Sequence, residues 1–187
     1  MKEKRKNTTP PYARYLGRLS RHFPNFDFSF IKPVRQKAVE LLNLKPGNRV
    51  LDVGCGSGGS FPYLIRAVSP SGEVTGVEIS PESTISAERR IAKNRWENVQ
   101  VINSPAQDVC LKGKFDGLLM FAAPDVYACE EELENIFPHL MDNARVAAFG
   151  AKLSGHRFGK ILNPILRLLY KLSFSTTPKP NYEPWQI

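Results

Sequence analysis

The feature that most constrains this chain is the run Val50-Leu51-Asp52-Val53-Gly54-Cys55-Gly56-Ser57-Gly58-Gly59-Ser60. Val50, Leu51 and Val53 read as a short buried strand, preceded by the turn-forming Lys45-Pro46-Gly47-Asn48. Glycines follow at once, and Phe61, Leu64, Ile65 and Val68 then recur on one face of a helix. Strand, glycine-rich turn and helix in that order bring backbone close to a ligand at the carboxyl end of the first strand of a parallel sheet. Side chains at positions 54, 56 and 58 would block that approach.

The rest of the chain repeats the alternation. With 49–53 as the first, β-like runs occur at 73–78, 99–103, 115–121 and 145–151, and helical stretches lie near 60–68, 81–94 and 130–141. A helix precedes them from Pro33, with Val34, Ala38, Leu41 and Leu42 predicted on its apolar face. Ser80 and Pro81 carry the signature of an N-cap and first helical position. Glu130, Glu131, Glu132 and Glu134 suit a solvated first turn. Buried strands alternating with helices predict an α/β fold, a doubly wound parallel sheet covered on both faces.

A length of 187 residues suits one domain with a full core, and 42% apolar with 24% charged residues excludes wholesale disorder. No apolar run reaches the roughly 18 residues of a membrane span. The basic start Lys2-Glu3-Lys4-Arg5-Lys6 leads into Asn-Thr-Thr-Pro-Pro rather than an apolar stretch, so a signal peptide is not expected. Cys55, Cys110 and Cys129 lack CxxC spacing, which predicts reduced thiols, no metal site and a cytoplasmic protein. The net charge of +8 is unevenly spread. Residues 1–49 carry 12 basic and 3 acidic side chains, residues 50–150 carry 8 and 14, and residues 151–187 carry 6 and 1. An acidic body between basic flanks disfavours nucleic acid as the partner. It divides the chain into a basic, aromatic segment 1–30, a central domain 31–152 and a basic tail 153–187.

Gly54, Gly56 and Gly59 satisfy the dinucleotide pattern GxGxxG. Three details point away from it: Asp52 inside the strand, Gly58 as an added glycine, and Glu78 ending the second strand 24 positions after Gly54. Together VLDVGCGSGG, GVEIS, NSPAQDV and FDGLLMF resemble the class I S-adenosylmethionine-dependent methyltransferases over residues 31–152, and within them the quinone-biosynthesis and phospholipid branch. The resemblance implies strand order 3-2-1-4-5 and S-adenosylmethionine as cofactor. Gly54, Gly56 and Gly58 would admit its amino-acid end and ribose. Asp52 would meet its ammonium directly or through water, or would only fix the loop. Glu78 would accept from both ribose hydroxyls, or would be a surface strand end. Ile79 would cover one adenine face.

At the adenine edge the chain departs from the family. Pro105 stands where an acid commonly accepts from the adenine amino group. Ala106 retains its N–H for the ring, and Asp108 either replaces the missing acceptor or caps a short helix. Losing that one hydrogen bond costs about 1 kcal/mol. Methyl transfer from a sulfonium is a displacement at an activated carbon, for which in-line placement supplies much of the catalysis, so no catalytic residue is named. Phe121-Ala122-Ala123-Pro124-Asp125 is not the Asp/Asn-Pro-Pro-aromatic run of amino-directed nucleic-acid methyltransferases. Asp125 and Tyr127 fall where an acceptor would sit, with Asp125 equally suited to a helix cap. His22, His139 and His156 read as solvated.

Residues 156–173 place Phe158, Ile161, Leu162, Ile165, Leu168, Leu169 and Leu172 on one stripe, opposite Arg157, Lys160, Arg167 and Lys171. Such a helix packs on its own domain, or docks peripherally on an anionic membrane. The resemblance implies two closing strands beyond Trp185; without them strand five is an edge, covered by the tail, open to self-association, or the mark of a truncated product. The expected function is methyl transfer to a small-molecule or lipid-like acceptor. The alternatives are a catalytically impaired module that still holds the cofactor, and an NAD-dependent oxidoreductase.

Overall fold

A computed structural model describes residues 31–127 and 129–150. Segments 1–30 and 151–187, with His22, His156 and the amphipathic stretch 156–173, lie outside the described residues. Five strands, β1 (Arg49–Val53), β2 (Glu73–Glu78), β3 (Val99–Asn103), β4 (Phe115–Phe121) and β5 (Leu140–Phe149), form one parallel sheet in the order β3-β2-β1-β4-β5. The helices are α1 (Lys32–Leu41), α2 (Phe61–Val68), α3 (Pro81–Asn94), α4 (Pro124–Tyr127) and α5 (Glu130–Ile136). The expected doubly wound order 3-2-1-4-5 is present.

Alternation along β1 divides the core. Val50 faces a cluster with Ala38 and Val39 of α1 and Leu42 at its C-cap, Phe61, Leu64 and Val68 of α2, and Ala87 of α3. Leu51 and Val53 face the other side, with Ala106, Val109, Tyr127 and Ile136. The central strand is therefore buried on both faces, as its nearly unbroken apolar composition requires. β1 and β4 adjoin although β2 and β3 intervene in sequence. Their carboxyl ends form the switch point, where open α/β sheets leave a crevice for ligands.

Three expectations need correction. The face of α1 turned to the sheet carries half-buried Arg35 and buried Ala38 and Val39, with buried Leu42 at its C-cap, whereas Val34 and Leu41 are 38% and 59% exposed. Both stripes have helical spacing; the one facing the sheet also carries Arg35, whose charge hid it from an apolar pattern. The helix expected over 130–141 ends at Ile136 and tightens to a 3-10 turn at Phe137–His139, because Pro138 cannot donate into an α-helical ladder. β5 consequently starts at Leu140 instead of 145 and ends at Phe149 instead of 151. Its register against β4 jumps from Phe115↔Leu140 to Gly117↔Arg145, so Met141–Ala144 bulge out of the ladder. The signals at Ser80 and Pro81 hold: the Ser80 hydroxyl accepts from the Ser83 N–H at 3.3 Å. Among the described residues, β5 is an edge strand.

Candidate functional site

The loop after β1 is left-handed three times, at Gly54 (φ +72°), Gly56 (+57°) and Gly58 (+75°), which only glycine adopts without strain. What surrounds each glycine differs. A Cβ at Gly54 would lie 2.6 Å from the Ala123 Cβ, and one at Gly58 would lie 2.5 Å from the Phe61 ring. A Cβ at Gly56 would meet nothing within 4 Å. At 54 and 58 the protein's own side chains occupy the space a Cβ would take, whereas at 56 that space is open. Gly56→Ala is expected to cost only the left-handed strain, about 1–2 kcal/mol. Gly54→Ala adds a collision with Ala123 and should lower the melting temperature clearly further. Thermal melts of the two variants check the order; equal shifts would show that the two positions are not packed differently.

Glu78 is 8% exposed and clamps this loop. Its Oε2 accepts from the Gly56 N–H at 2.9 Å, and its Oε1 accepts from the Ser80 N–H at 2.8 Å. Burial raises its pKa, and the N–H groups of Ser80 and Gly56 oppose that rise. The surface reading of Glu78 is thus wrong. The side chain joins the glycine loop to the start of α3, and each oxygen retains a lone pair for a further donor. Ile79, next in sequence, is half-buried. Its carbonyl and that of Glu78 accept from Asn103 Nδ2, at 3.2 and 2.8 Å. Asn103 was missed because an asparagine ending a strand carries no spacing signal.

Asp52 points from β1 toward α1 and α2. It is 1% exposed, and neither carboxylate oxygen has a hydrogen-bond partner among the described residues. Burial lifts its pKa to about 7, against the opposing pull of Arg35 and the nearby Ser60 hydroxyl. Arg35, another residue sequence reasoning missed, reaches over from α1. Its Nη1 donates to Ser60 Oγ at 2.7 Å, and its Cζ sits 4.2 Å from the Phe121 ring centroid. Phe121 in turn stacks on Phe149 at 4.7 Å. The Cys55 thiol is buried and its pKa is pushed up by burial, with Asp52 and Glu78 adding to the rise, so it is not an activated nucleophile.

On the opposite side of the crevice, Ala106 is buried and opens a 3-10 turn, Ala106–Asp108, after Pro105. The Asn135 side chain of α5 donates to the carbonyls of Ala106 (2.8 Å) and Val109 (3.0 Å) and so positions this segment. Asp108 is exposed and is the last residue of the turn, not its cap. Asp125 likewise lies inside α4 rather than capping it. Glu132 departs from the solvated acidic turn: its pKa rises to about 7, through burial and then the charges of Asp125 and Glu131. Tyr127 is buried. His139 Nδ1 lies 3.2 Å from the Gly113 carbonyl oxygen, just before the amino ends of β4 and β5 and so at the opposite end of the strands from the loop. Ala122 is left-handed at φ +58°, a strained turn that swings Ala123 against Gly54 at the switch point.

A family model described as a methyltransferase domain matches residues 44–151, more than half of the chain. The chain belongs to that methyltransferase family. A demethylmenaquinone methyltransferase of Staphylococcus saprophyticus is 26% identical over 178 residues, covering 92% of this chain and 71% of that protein. A ubiquinone/menaquinone biosynthesis C-methyltransferase of Ectopseudomonas mendocina is 30% identical over 144 residues, covering 75% and 54%. An uncharacterized 37.1 kDa transposon protein of Streptomyces fradiae is 31% identical over 110 residues, with 28% of its length covered. The chain thus spans between about a quarter and under three quarters of these relatives. In fold, a SAM-dependent methyltransferase of Aquifex aeolicus superposes with a TM-score of 0.55 at 24% identity, covering 66% of each chain.

The methyl donor of such proteins is S-adenosylmethionine, and the residues present fit it. Asp52 offers a buried, unpartnered carboxylate to the ligand's ammonium. Gly56 leaves open space beside the loop. Glu78 keeps acceptor capacity next to it. Among the described residues no helix is long and apolar enough to cross a membrane, and no cluster of three or more His, Cys, Asp or Glu could hold a metal ion.

Proposed function

We propose that this protein transfers the methyl group of S-adenosylmethionine to a small-molecule or lipid-like acceptor. The observation that carries the reading is the Glu78 clamp: one buried carboxylate holds the N–H of Gly56, the glycine at which a Cβ would meet nothing. Bound there, the cofactor supplies an electrophilic methyl carbon on a sulfonium. In this reading Glu78 accepts from the ribose hydroxyls, Asp52 meets the ammonium, Ile79 covers the adenine, and Ala106 offers its N–H to the ring, with Asp108 beside it. Gly54 and Gly58 hold the loop's shape. In this reading the acceptor lies toward β4, near Asp125 and Tyr127 of α4. The names of the quinone methyltransferase relatives support an aromatic, lipid-like acceptor.

Calorimetry of the purified chain with S-adenosylhomocysteine and with NAD tests the cofactor half. The first is expected to bind in the micromolar range, and Glu78→Ala to abolish detectable binding, because the loop loses its clamp and the ligand its acceptor. Binding of NAD alone would overturn the reading in favour of an oxidoreductase. Release of S-adenosylhomocysteine in the presence of quinone-like phenols separates an enzyme from a module that only binds.

A further inference from the structure

We infer that the helical layer formed by α1, α2 and α3 is a docking surface for an anionic lipid bilayer. The inference stands apart from the cofactor reading, since it rests on how charge and exposed apolar side chains are distributed over the folded chain.

The two faces of the sheet carry opposite charge. Helices α1, α2 and α3 cover one face through a common core that includes Ala38, Phe61, Leu64 and Ala87. On their outward sides Lys32, Lys37, Arg66, Arg89, Lys93 and the α3 C-cap Arg95 are exposed, against Glu40 and Glu88. The 3-10 turn Ala106–Asp108 and α5 pack on the other face and expose Asp108, Glu130, Glu131 and Glu134, with no basic side chain in either. Residues 50–150 are acidic as a whole, so summing charge along the chain hides this basic layer. The cations are also available. Arg66, Arg89, Lys93 and Arg95 have no side-chain hydrogen bond or ion pair among the described residues. The Glu40 carboxylate is held by Gln36 Nε2 at 3.0 Å and Lys37 Nζ at 3.4 Å, which blunts its repulsion of an anion.

Apolar side chains stand among these cations. Val34 and Leu41 of α1 are 38% and 59% exposed, and Ile85 of α3 is 44% exposed. Lys37 lies three positions after Val34 and four before Leu41, so all three share one side of α1. Helices that put cations and aliphatic tips on one surface bind the interface of an anionic bilayer: the cations meet the headgroup phosphates and the tips sink to the acyl boundary. A nucleic acid would engage the cations and leave Val34, Leu41 and Ile85 in water. The acidic layer is repelled by the same membrane, so only one face settles on it. A bilayer also carries the lipid-like acceptor proposed above.

Sedimentation of the full chain with vesicles tests the surface and the partner. Wild type should bind phosphatidylcholine vesicles that contain phosphatidylglycerol, and added salt should weaken that binding. Each cation at an anionic surface contributes about fivefold, so Arg66→Gln with Lys93→Gln should weaken binding by about 25-fold. Lys112→Gln with Lys114→Gln removes the same charge from the loop before β4, outside the layer, and should change it by less than about twofold. Leu41→Ser should weaken binding about three- to tenfold at low and high salt alike, because its share is apolar. All the substituted side chains are exposed, so melting temperatures should stay at the wild-type value. Equal losses in the two double variants, or none in the first, would move the binding to net charge or the flanks and overturn this surface. Binding to duplex DNA with no binding to the mixed vesicles at low salt would overturn the partner. Failure to bind either would overturn the inference, while leaving S-adenosylhomocysteine binding, and with it the cofactor reading, untouched.

Discussion

Phe61→Ala is expected to lower stability by about 3–5 kcal/mol, a large share of the roughly 5–15 kcal/mol that holds a domain of this size together. Phe61 is fully buried at the first position of α2. Its ring occupies space that two glycines vacate. A Cβ at Gly58 would lie 2.5 Å from it, and a Cβ at Gly76 on β2 would lie 2.8 Å from it. The ring is therefore the floor on which the loop rests. Truncation removes the transfer free energy of the side chain and leaves a cavity that the glycines cannot fill. Urea denaturation followed by circular dichroism measures the change. A shift equivalent to less than about 1 kcal/mol would mean that the loop does not depend on this contact. Phe61→Leu retains most of the volume and should cost considerably less.

The second large effect concerns Asp52 and has an unusual sign. Most native carboxylates have lowered pKa values, so acid destabilises the protein. Asp52 has a pKa raised from 3.8 to about 7, because burial outweighs Arg35 and Ser60. Between those values the folded chain holds a proton that the unfolded chain has released. The Asp52 contribution to stability is therefore complete below pH 3.8 and is lost progressively as pH rises to about 7. Asp52→Asn keeps the shape and removes the charge. Its stability relative to wild type should rise by on the order of 2–3 kcal/mol between pH 5 and pH 7 and be flat above. Urea titrations of both proteins at several pH values measure this difference while cancelling other groups, including Glu132, whose pKa is also raised to about 7.

A cationic ligand group reverses that balance, because it favours the ionised form. S-adenosylhomocysteine affinity should rise about tenfold from pH 6 to pH 8 in the wild type and stay flat in Asp52→Asn. A stability difference independent of pH would show that Asp52 ionises normally. The destabilising carboxylate would then need another explanation than ligand binding.

Much of this protein could be read without coordinates. The strands 49–53, 73–78, 99–103 and 115–121 and the helix 81–94 stand where their patterns placed them. These elements combine a strong apolar run with local punctuation, such as the Ser80 cap. The glycine loop and the acid at 78 were likewise visible as a motif. Reading failed where two elements competed for the same residues. Pro138 ended one helix and let β5 begin five residues early. It also failed on α1, where two faces have equivalent spacing and contact with β4, β5 and α2 selects between them.

Sequence alone determined the fold class, the strand order through the family motifs, and which residues crowd the first βα turn, because these depend on local periodicity and short-range chemistry. Tertiary structure decided what each of those residues does. It showed that Gly54 and Gly58 accommodate Ala123 and Phe61 while Gly56 alone faces open space. It turned Glu78 from a strand end into a clamp, and it brought Arg35 to Asp52. These are contacts between elements far apart in the chain. Their energies come from burial and charge at distances that no spacing along the sequence encodes.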